Sequence, residues 1–477
     1  MRNAITTTSL VTLLGLGLLA GCPDRTISEV NPSQGRVEFK DIPVSVNRDI
    51  DILFVIDDSP SMLDKQTNLK NNFPNFINVL NTIEGGLPNV HLGVVSSDMG
   101  TKAADDPQPG PGIGGSGQGS CSNTGKSGNL QTNGSTLVTG NFISDTKNSD
   151  GTRTTNYSGP LADAFSAIAS LGANGCGFEQ HLEAAKQALD GNPANAGFLR
   201  PNAYLALIFI QDEDDCSMAH TTLLGQDTNT LGPLQSFRCN RFGHICQMGG
   251  QDSNQMNQIG PKGECASNES GTYLTKVGDY VSFFKGLKSD PANVIVAAIS
   301  GPTTPYEVET RTINNMPQPA VAHSCTYQGG SGPEVADPST RLKEFLDQFP
   351  NRSTFSTICQ QDLSGALIQI AQLLRTVIGS PCIEGKLADV DPNTEGPQYD
   401  CSVSDVQNYG QANQTENVLP QCNGSGPDYT DSSNKPCWSI QTDTMNCTAA
   451  PNLTLKIVRD QAPAPDTHVI SYCVTEA

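Results

Sequence analysis

The run Asp51-Ile-Leu-Phe-Val-Ile-Asp-Asp-Ser-Pro-Ser-Met62 constrains the fold more than any other stretch of the chain. Apolar β-formers stop abruptly at an acid, and hydroxyls follow at alternate positions, giving Asp57, Ser59 and Ser61. An apolar run without polar alternation suits a strand buried on both faces of a parallel sheet. Open α/β sheets gather ligands outside the carboxyl ends of such strands, where these oxygens fall. The chain then turns into a helix that Ser61 can cap, leaving Asp57 and Ser59 facing one crevice. One carboxylate and two hydroxyls are hard donors, suited to Mg²⁺ or Ca²⁺ rather than zinc. A surface loop whose acid and hydroxyls merely cap a helix carries the same letters, so other segments must decide.

Two segments bear on it. Tyr204-Leu-Ala-Leu-Ile-Phe-Ile-Gln-Asp-Glu-Asp-Asp-Cys-Ser217 is a second continuous apolar run ending in acids, fit for a strand beside the first. Gly175-Cys-Gly-Phe-Glu-Gln-His-Leu-Glu-Ala-Ala-Lys-Gln-Ala-Leu189 is a glycine-flanked loop leading into an amphipathic helix.

The pattern Asp-x-Ser-x-Ser after a buried strand resembles the metal-ion-dependent adhesion site of von Willebrand factor A-type domains. In that family the second strand ends in an acid, usually within Thr-Asp-Gly, that reaches the metal through water. The resemblance places Asp212 there, with Gln211 for the threonine and Glu213 for the glycine. Asp214 and Asp215 lie beyond it and read as a solvated acidic turn. The family's third ligand is a loop threonine, and this chain has none between Gly172 and Ala184. Either Glu179 replaces it or the metal keeps an extra water. Pro60 stands where the family usually has glycine.

The resemblance covers roughly residues 47–379. It implies a doubly wound, Rossmann-like α/β sheet with helices on both faces, a bound Mg²⁺ (or Mn²⁺ or Ca²⁺), and a protein partner that offers the ion an acidic side chain. It looks most like the A-type lipoproteins of Gram-negative, myxobacteria-like organisms, which share the run Asp-Glu-Asp-Asp-Cys-Ser. Cys176 and Cys216 flank the two proposed metal loops and are expected to bond to each other, pre-organising both.

Residues 1–21 read as a targeting segment, with Arg2 at the positive end and a short apolar stretch from Leu10 to Ala20. Leu19-Ala-Gly-Cys22 has the lipobox pattern, so Cys22 is expected to become the lipidated N-terminus; an ordinary secretory cut is the alternative. The apolar run is too short to span a bilayer. Pro23 leaves out the aspartate that retains lipoproteins at the inner membrane, which favours a cell-envelope protein anchored in the outer membrane. Without Cys22 the 15 cysteines become an even set, as disulfides in an oxidising compartment require. Zinc is a poor reading, because there is no Cys-x-x-Cys pair. A net charge of −21 and a pI near 4.5 oppose nucleic acid as a partner.

Along the chain, 22–48 reads as a tether, with an edge strand near Gly35 to Phe39. The α/β domain occupies 49–379 and carries insertions at 98–160, 216–272 and 300–351. Its expected helices are 62–83, kinked or divided at Pro74, then 161–171, 179–189, 273–287 and 363–378. Further strands are expected at Val90 to Ser96, Thr136 to Phe142 and Val294 to Ile299. Residues 380–477 read as a disulfide-rich β module in which Leu453–Val458 and Val469–Val474 form a pair.

Catalysis finds little support. A haloacid-dehalogenase-like phosphatase needs an acid two positions after Asp57, and Ser59 stands there. Gly125-Lys-Ser127 lacks the first glycine of a phosphate loop, since that position is Ser120. No Gly-x-Ser-x-Gly elbow or His-Glu-x-x-His occurs. A binding module is therefore expected. Its rival is a structural envelope lipoprotein with a degenerate, metal-free site.

Overall fold

The computed structural model describes residues 36–43 and 48–476, apart from 84–85, 115–119, 149, 314, 331, 380–381, 384–385, 390, 392, 394–395, 408–412, 425–428, 430, 445–446, 448–450 and 462–466. The expected signal segment and Cys22 lie outside the described residues. The chain divides into two units, 46–380 and the combination of 1–45 with 381–477.

The larger unit is a mixed α/β layer structure around a seven-stranded sheet. Its strands are β1 (Asp49–Ile56), β2 (Asn89–Ser96), β3 (Ile143–Lys147), β4 (Arg153–Thr155), β5 (Tyr204–Ile210), β6 (Val294–Ser300) and β7 (Ser353–Thr357), in the spatial order β7-β6-β5-β1-β2-β3-β4. The first five in that order run parallel, and β3 and β4 add antiparallel at one edge. Every residue of β5 and β6 is buried, as their unbroken apolar sequences demand.

The alternation of strand side chains divides β1 between two cores. Ile50, Ile52, Phe54 and Ile56 face Phe73 and Phe76 of α1 (Leu63–Leu80), Phe165 of α2 (Leu161–Ile168) and Leu367 of the helix Ser364–Gly379. Leu53 and Val55 face Leu182 of α3 (His181–Leu189), Phe284 of α4 (Val277–Gly286) and Phe345 of α5 (Thr340–Asp347). Phe54 lies 4.8 Å from Phe165, ring to ring, and burying such a ring contributes about 1.5–3 kcal/mol. Helices therefore cover both faces.

Several expectations change. α1 runs unbroken through Pro74, which sits on its exposed side, where water can take the carbonyl that proline leaves unbonded. The strand expected at Thr136 to Phe142 is instead Ile143–Lys147. The 300–351 insertion contains two hairpins and α5, and β7 follows it. The polar run Ser-Thr-Phe-Ser-Thr of β7 is half-buried at the sheet edge, so it lacked the apolar signal.

In the smaller unit, Leu453–Val458 and Thr467–Thr475 both form strands but do not pair with each other. The first joins Cys437–Thr442 and Cys382–Ile383; the second joins Cys401–Gln407 and Arg36–Pro43. Two sheets thus replace the expected hairpin. Part of the stretch read as a tether supplies a strand of this unit. Trp438 is buried there, its Nε1 donating to the carbonyl of Leu419 at 3.1 Å. Among the described residues no helix is long and apolar enough to cross a membrane.

Candidate cation-binding crevice

The strand order reverses direction at β1. The chain goes from β1 through α1 to β2 on one side, and later places β5 on the other. The crevice beyond the carboxyl ends of β1 and β5 is therefore the topological switch point of the sheet, the usual ligand position in open α/β folds. Ile56 and Ile210 are in register, and the Asp57 amide donates to the carbonyl of Ile210 at 3.0 Å. Asp57 and Asp212 consequently emerge side by side.

Asp57 is fully buried. Its Oδ1 accepts from the amide of Ser59 at 2.7 Å, while Oδ2 has no hydrogen-bond partner. A chain of oxygens continues from Ser59 Oγ to Ser61 Oγ at 3.1 Å and from Ser61 Oγ to Asp212 Oδ1 at 3.1 Å. Ser61 does not cap a helix: no side chain caps the start of α1 or the turn before it, and the Ser61 hydroxyl is spent on Asp212. The turn thus brings together Asp57, Ser59, Ser61 and Asp212.

Glu179 reaches the same place from the loop before α3. Its buried carboxyl shares a hydrogen bond with Glu213 and lies within the field of Asp57. The loop itself is docked by backbone: Gly175 N donates to the carbonyl of Asp58 at 2.7 Å, and Gln180 N to Ser97 at 3.0 Å.

Four acids in one poorly hydrated crevice cannot all ionise at the ordinary cost. Burial, and then the charge of Asp212, push Asp57 well above the usual carboxylate range. Burial, then Glu213 and Asp57, do the same to Glu179. Burial together with Asp337 and Asp212 carries Glu213 to about 8. Asp212 is also raised by burial, although Lys65 pulls it back.

Sequence reading missed two groups. Lys65, one turn into α1, is buried, with Nζ 3.0 Å from Asp212 Oδ2, 2.9 Å from Glu334 Oε2 and 3.1 Å from the carbonyl of Ser61. Burial lowers its affinity for a proton, yet Asp212 and Glu334 more than compensate and raise it. His181 is buried with neither ring nitrogen hydrogen-bonded, and its Nε2 lies 3.9 Å from Asp57 Oδ2. Burial lowers His181 to about 4, so the ring is neutral at pH 7. The position of Lys65 four residues after Ser61 was a usable signal, because a helix brings that spacing onto one face.

Asp214 and Asp215 correct the reading of a solvated acidic turn. Both are buried, and each holds the first turn of a different helix. Asp214 accepts from the amides of Arg341 and Leu342 in α5 and from His244 Nε2 at 2.8 Å. Asp215 accepts from the amide of Leu182 in α3 at 2.9 Å and from the Arg341 guanidinium at 3.2 Å. Orphan amides at helix starts favour anionic acceptors.

The expected Cys176–Cys216 bond does not form. Cys176 pairs with Cys121, and Cys216 with Cys239. The two loops do converge, but backbone hydrogen bonds already join them, Cys216 N donating to the carbonyl of Glu179 at 2.7 Å. Each bond instead ties its insertion into a small buried cluster that includes Phe178, Met218, Leu223 and Phe242.

The oxygens gathered here are hard donors of the kind Mg²⁺ or Ca²⁺ takes. Asp57 Oδ2 is buried and orphaned, and on the same turn the Ser59 and Ser61 hydroxyls lead by hydrogen bonds to the Asp212 carboxylate. Among the described residues no three His, Cys, Asp or Glu side chains are grouped to hold a metal by themselves. An ion here would draw on the hydroxyls of Ser59 and Ser61 as well.

No family model matches the chain, and no curated protein matches it. Solved structures do. A von Willebrand factor type A protein from Catenulispora acidiphila aligns at 10% identity and TM-score 0.28, over 93% of this chain and 66% of that one. The pilus adhesin SpaC from Lactobacillus rhamnosus GG aligns at 12% and 0.30, over 90% and 39%. The conserved hypothetical protein BatB from Bacteroides thetaiotaomicron aligns at 10% and 0.25, over 69% and 98%. The chain thus spans under two thirds of the length of the first two. Likenesses at this level transfer neither chemistry nor partner to this chain.

Proposed function

We propose that this chain is an A-type protein of the cell envelope, lipid-anchored at Cys22, that binds a divalent cation in the crevice and, through it, an acidic side chain of a protein partner. The observation that carries the reading is Asp57 Oδ2, a buried carboxylate oxygen with no partner beside Ser59, Ser61 and Asp212. An unmet buried oxygen is costly unless a cation or proton compensates it. Mg²⁺ is the first choice for this donor set, with Mn²⁺ and Ca²⁺ as alternatives. Asp57, Ser59 and Ser61 are the proposed direct ligands, Asp212 acts through water, and Glu179 takes the place of the family's loop threonine. A bound cation would make a crevice in a strongly acidic protein receptive to a carboxylate.

One observation favours a second reading. Lys65 already supplies a positive charge 3.0 Å from Asp212 Oδ2. On that reading the ammonium stands in for the ion, and the protein is a structural envelope component with a metal-free site. Isothermal titration of the purified protein with Mg²⁺, Mn²⁺ and Ca²⁺ separates the two. Binding lost in Asp57→Ala supports the first, and absence of heat with all three ions supports the second. Glu179→Gln weakens binding if Glu179 ligates, and leaves it unchanged if water holds that place.

A further inference from the structure

A cavity of about 580 Å³ opens beside α1, and neither Asp57 nor Ser59 is among the residues that line it. Asn68, Asn71 and Asn72 form one wall. They fall at i, i+3 and i+4, so the helix brings all three amides to one face. Asparagine is a poor helix former, and three in two turns run against local preference. Such conflicts between local preference and fold concentrate at functional positions. Only part of the set is explained by packing: Asn68 is buried and bonds Gln360 and Leu363, whereas Asn71 stands exposed beside it.

The facing wall is the hairpin Cys325–Gln328 with Pro333–Ala336, and the floor includes Gln361 and Asp362. The arrangement is held firmly. The Cys325–Cys359 disulfide ties hairpin to floor, and Asp64 Oδ2 accepts from Tyr327 Oη at 3.0 Å while its Oδ1 accepts from Gly330 N at 3.1 Å. Gln361 Nε2 donates to the carbonyl of Gln328 at 2.8 Å. This is a cavity fixed before any ligand arrives, within the usual size range for small-molecule sites.

Its chemistry is selective. Among the described residues no lysine, arginine or histidine lines it, which disfavours an anionic ligand. Its two carboxylates are engaged, Asp64 as above and Asp362 by the amide of Ser364 at 2.7 Å. The exposed Asn71 amide, the side-chain oxygens of Asn72 and Gln361, glycine backbone and one tyrosine ring remain, the other amide groups and the Thr67 hydroxyl being bonded within the protein. Neutral, polyhydroxylated molecules match such a lining, because each hydroxyl also donates and accepts. We propose that this cavity binds a neutral saccharide unit, independently of the cation crevice.

Saturation-transfer NMR and isothermal titration of the whole protein test it with three probes, maltotriose, cellotriose and tri-N-acetylchitotriose, each to about 5 mM. At least one is expected to bind, with affinity reduced about tenfold or more in Asn71→Ala and Asn72→Ala. Asn71→Ala should keep the wild-type melting temperature, whereas Asn72→Ala also loses its bonds to Asn68 and should melt somewhat lower; Asp57→Ala should leave saccharide binding intact. Absence of binding by all three, or binding indifferent to both asparagine changes, overturns the proposal. Loss of saccharide binding in Asp57→Ala would also overturn it, by showing that the crevice is the site.

Discussion

Lys65 and Asp212 form a buried ion pair at 3.0 Å, beside a crevice that holds four carboxyl groups. Removing one member of a buried pair typically costs about 3–5 kcal/mol, because the other is left uncompensated. Lys65→Met should therefore lower the melting temperature of the metal-free protein. Where Asp212 loses its ammonium, added Mg²⁺ should restore more stability than it adds to the wild type. Thermal melts with and without Mg²⁺ check both; an equal gain in the two proteins contradicts the pairing.

Asp215 joins α3 to α5 through the amide of Leu182 and the guanidinium of Arg341. Asp215→Ala removes a helix acceptor worth about 1 kcal/mol and leaves Arg341 short of its buried counter-charge. Its denaturant midpoint should fall further than that of Asp227→Ala, a cap on an exposed four-residue helix. Equal losses would show that Asp215 acts as a cap alone.

Gly175 lies where a methyl group would meet Asp58, with Oδ1 at 2.3 Å and the carbonyl oxygen at 2.9 Å. Its own amide holds that carbonyl, so the loop cannot move away without losing the bond. Gly175→Ala should cost about 1–3 kcal/mol by overpacking and weaken cation binding, since Glu179 rides on the same loop. A variant with unchanged stability would mean that the loop sits farther from β1.

The parallel strands were legible because β1, β5 and β6 are continuous apolar runs, and the meeting of Asp57, Ser59, Ser61 and Asp212 followed from where two such runs end. Lys65 showed only in its helical spacing from Ser61, and the roles of Asp214 and Asp215 not at all. Arg341 is 126 residues from Asp215, and nothing local in either segment announces the contact. The disulfides were misread for the same reason. Cys176 and Cys216 do flank converging loops, but proximity of loops does not place two sulfurs within bonding distance. The strand pairing of the smaller unit escaped because Arg36–Pro43 joins a strand more than 400 residues away.

Peptide mapping under non-reducing conditions should recover Cys121 with Cys176 and Cys216 with Cys239. Removing the first pair as Cys121→Ser with Cys176→Ser should cost about 2–4 kcal/mol, the usual value for a native bond. A peptide joining Cys176 to Cys216 would contradict the fold of both insertions.

The melting temperature of the purified protein during titration with Mg²⁺ tests the central claim most directly. An ion that binds only the folded state stabilises it by about 2.7 kcal/mol at 100 times its Kd, which is readily visible in a melt. The account predicts a saturable rise in the wild type and none in Asp57→Ala, with the variant still folded, because the sheet core does not depend on the crevice. A wild-type melt indifferent to millimolar Mg²⁺, Mn²⁺ and Ca²⁺ would contradict it and leave Lys65 as the only cation the site requires.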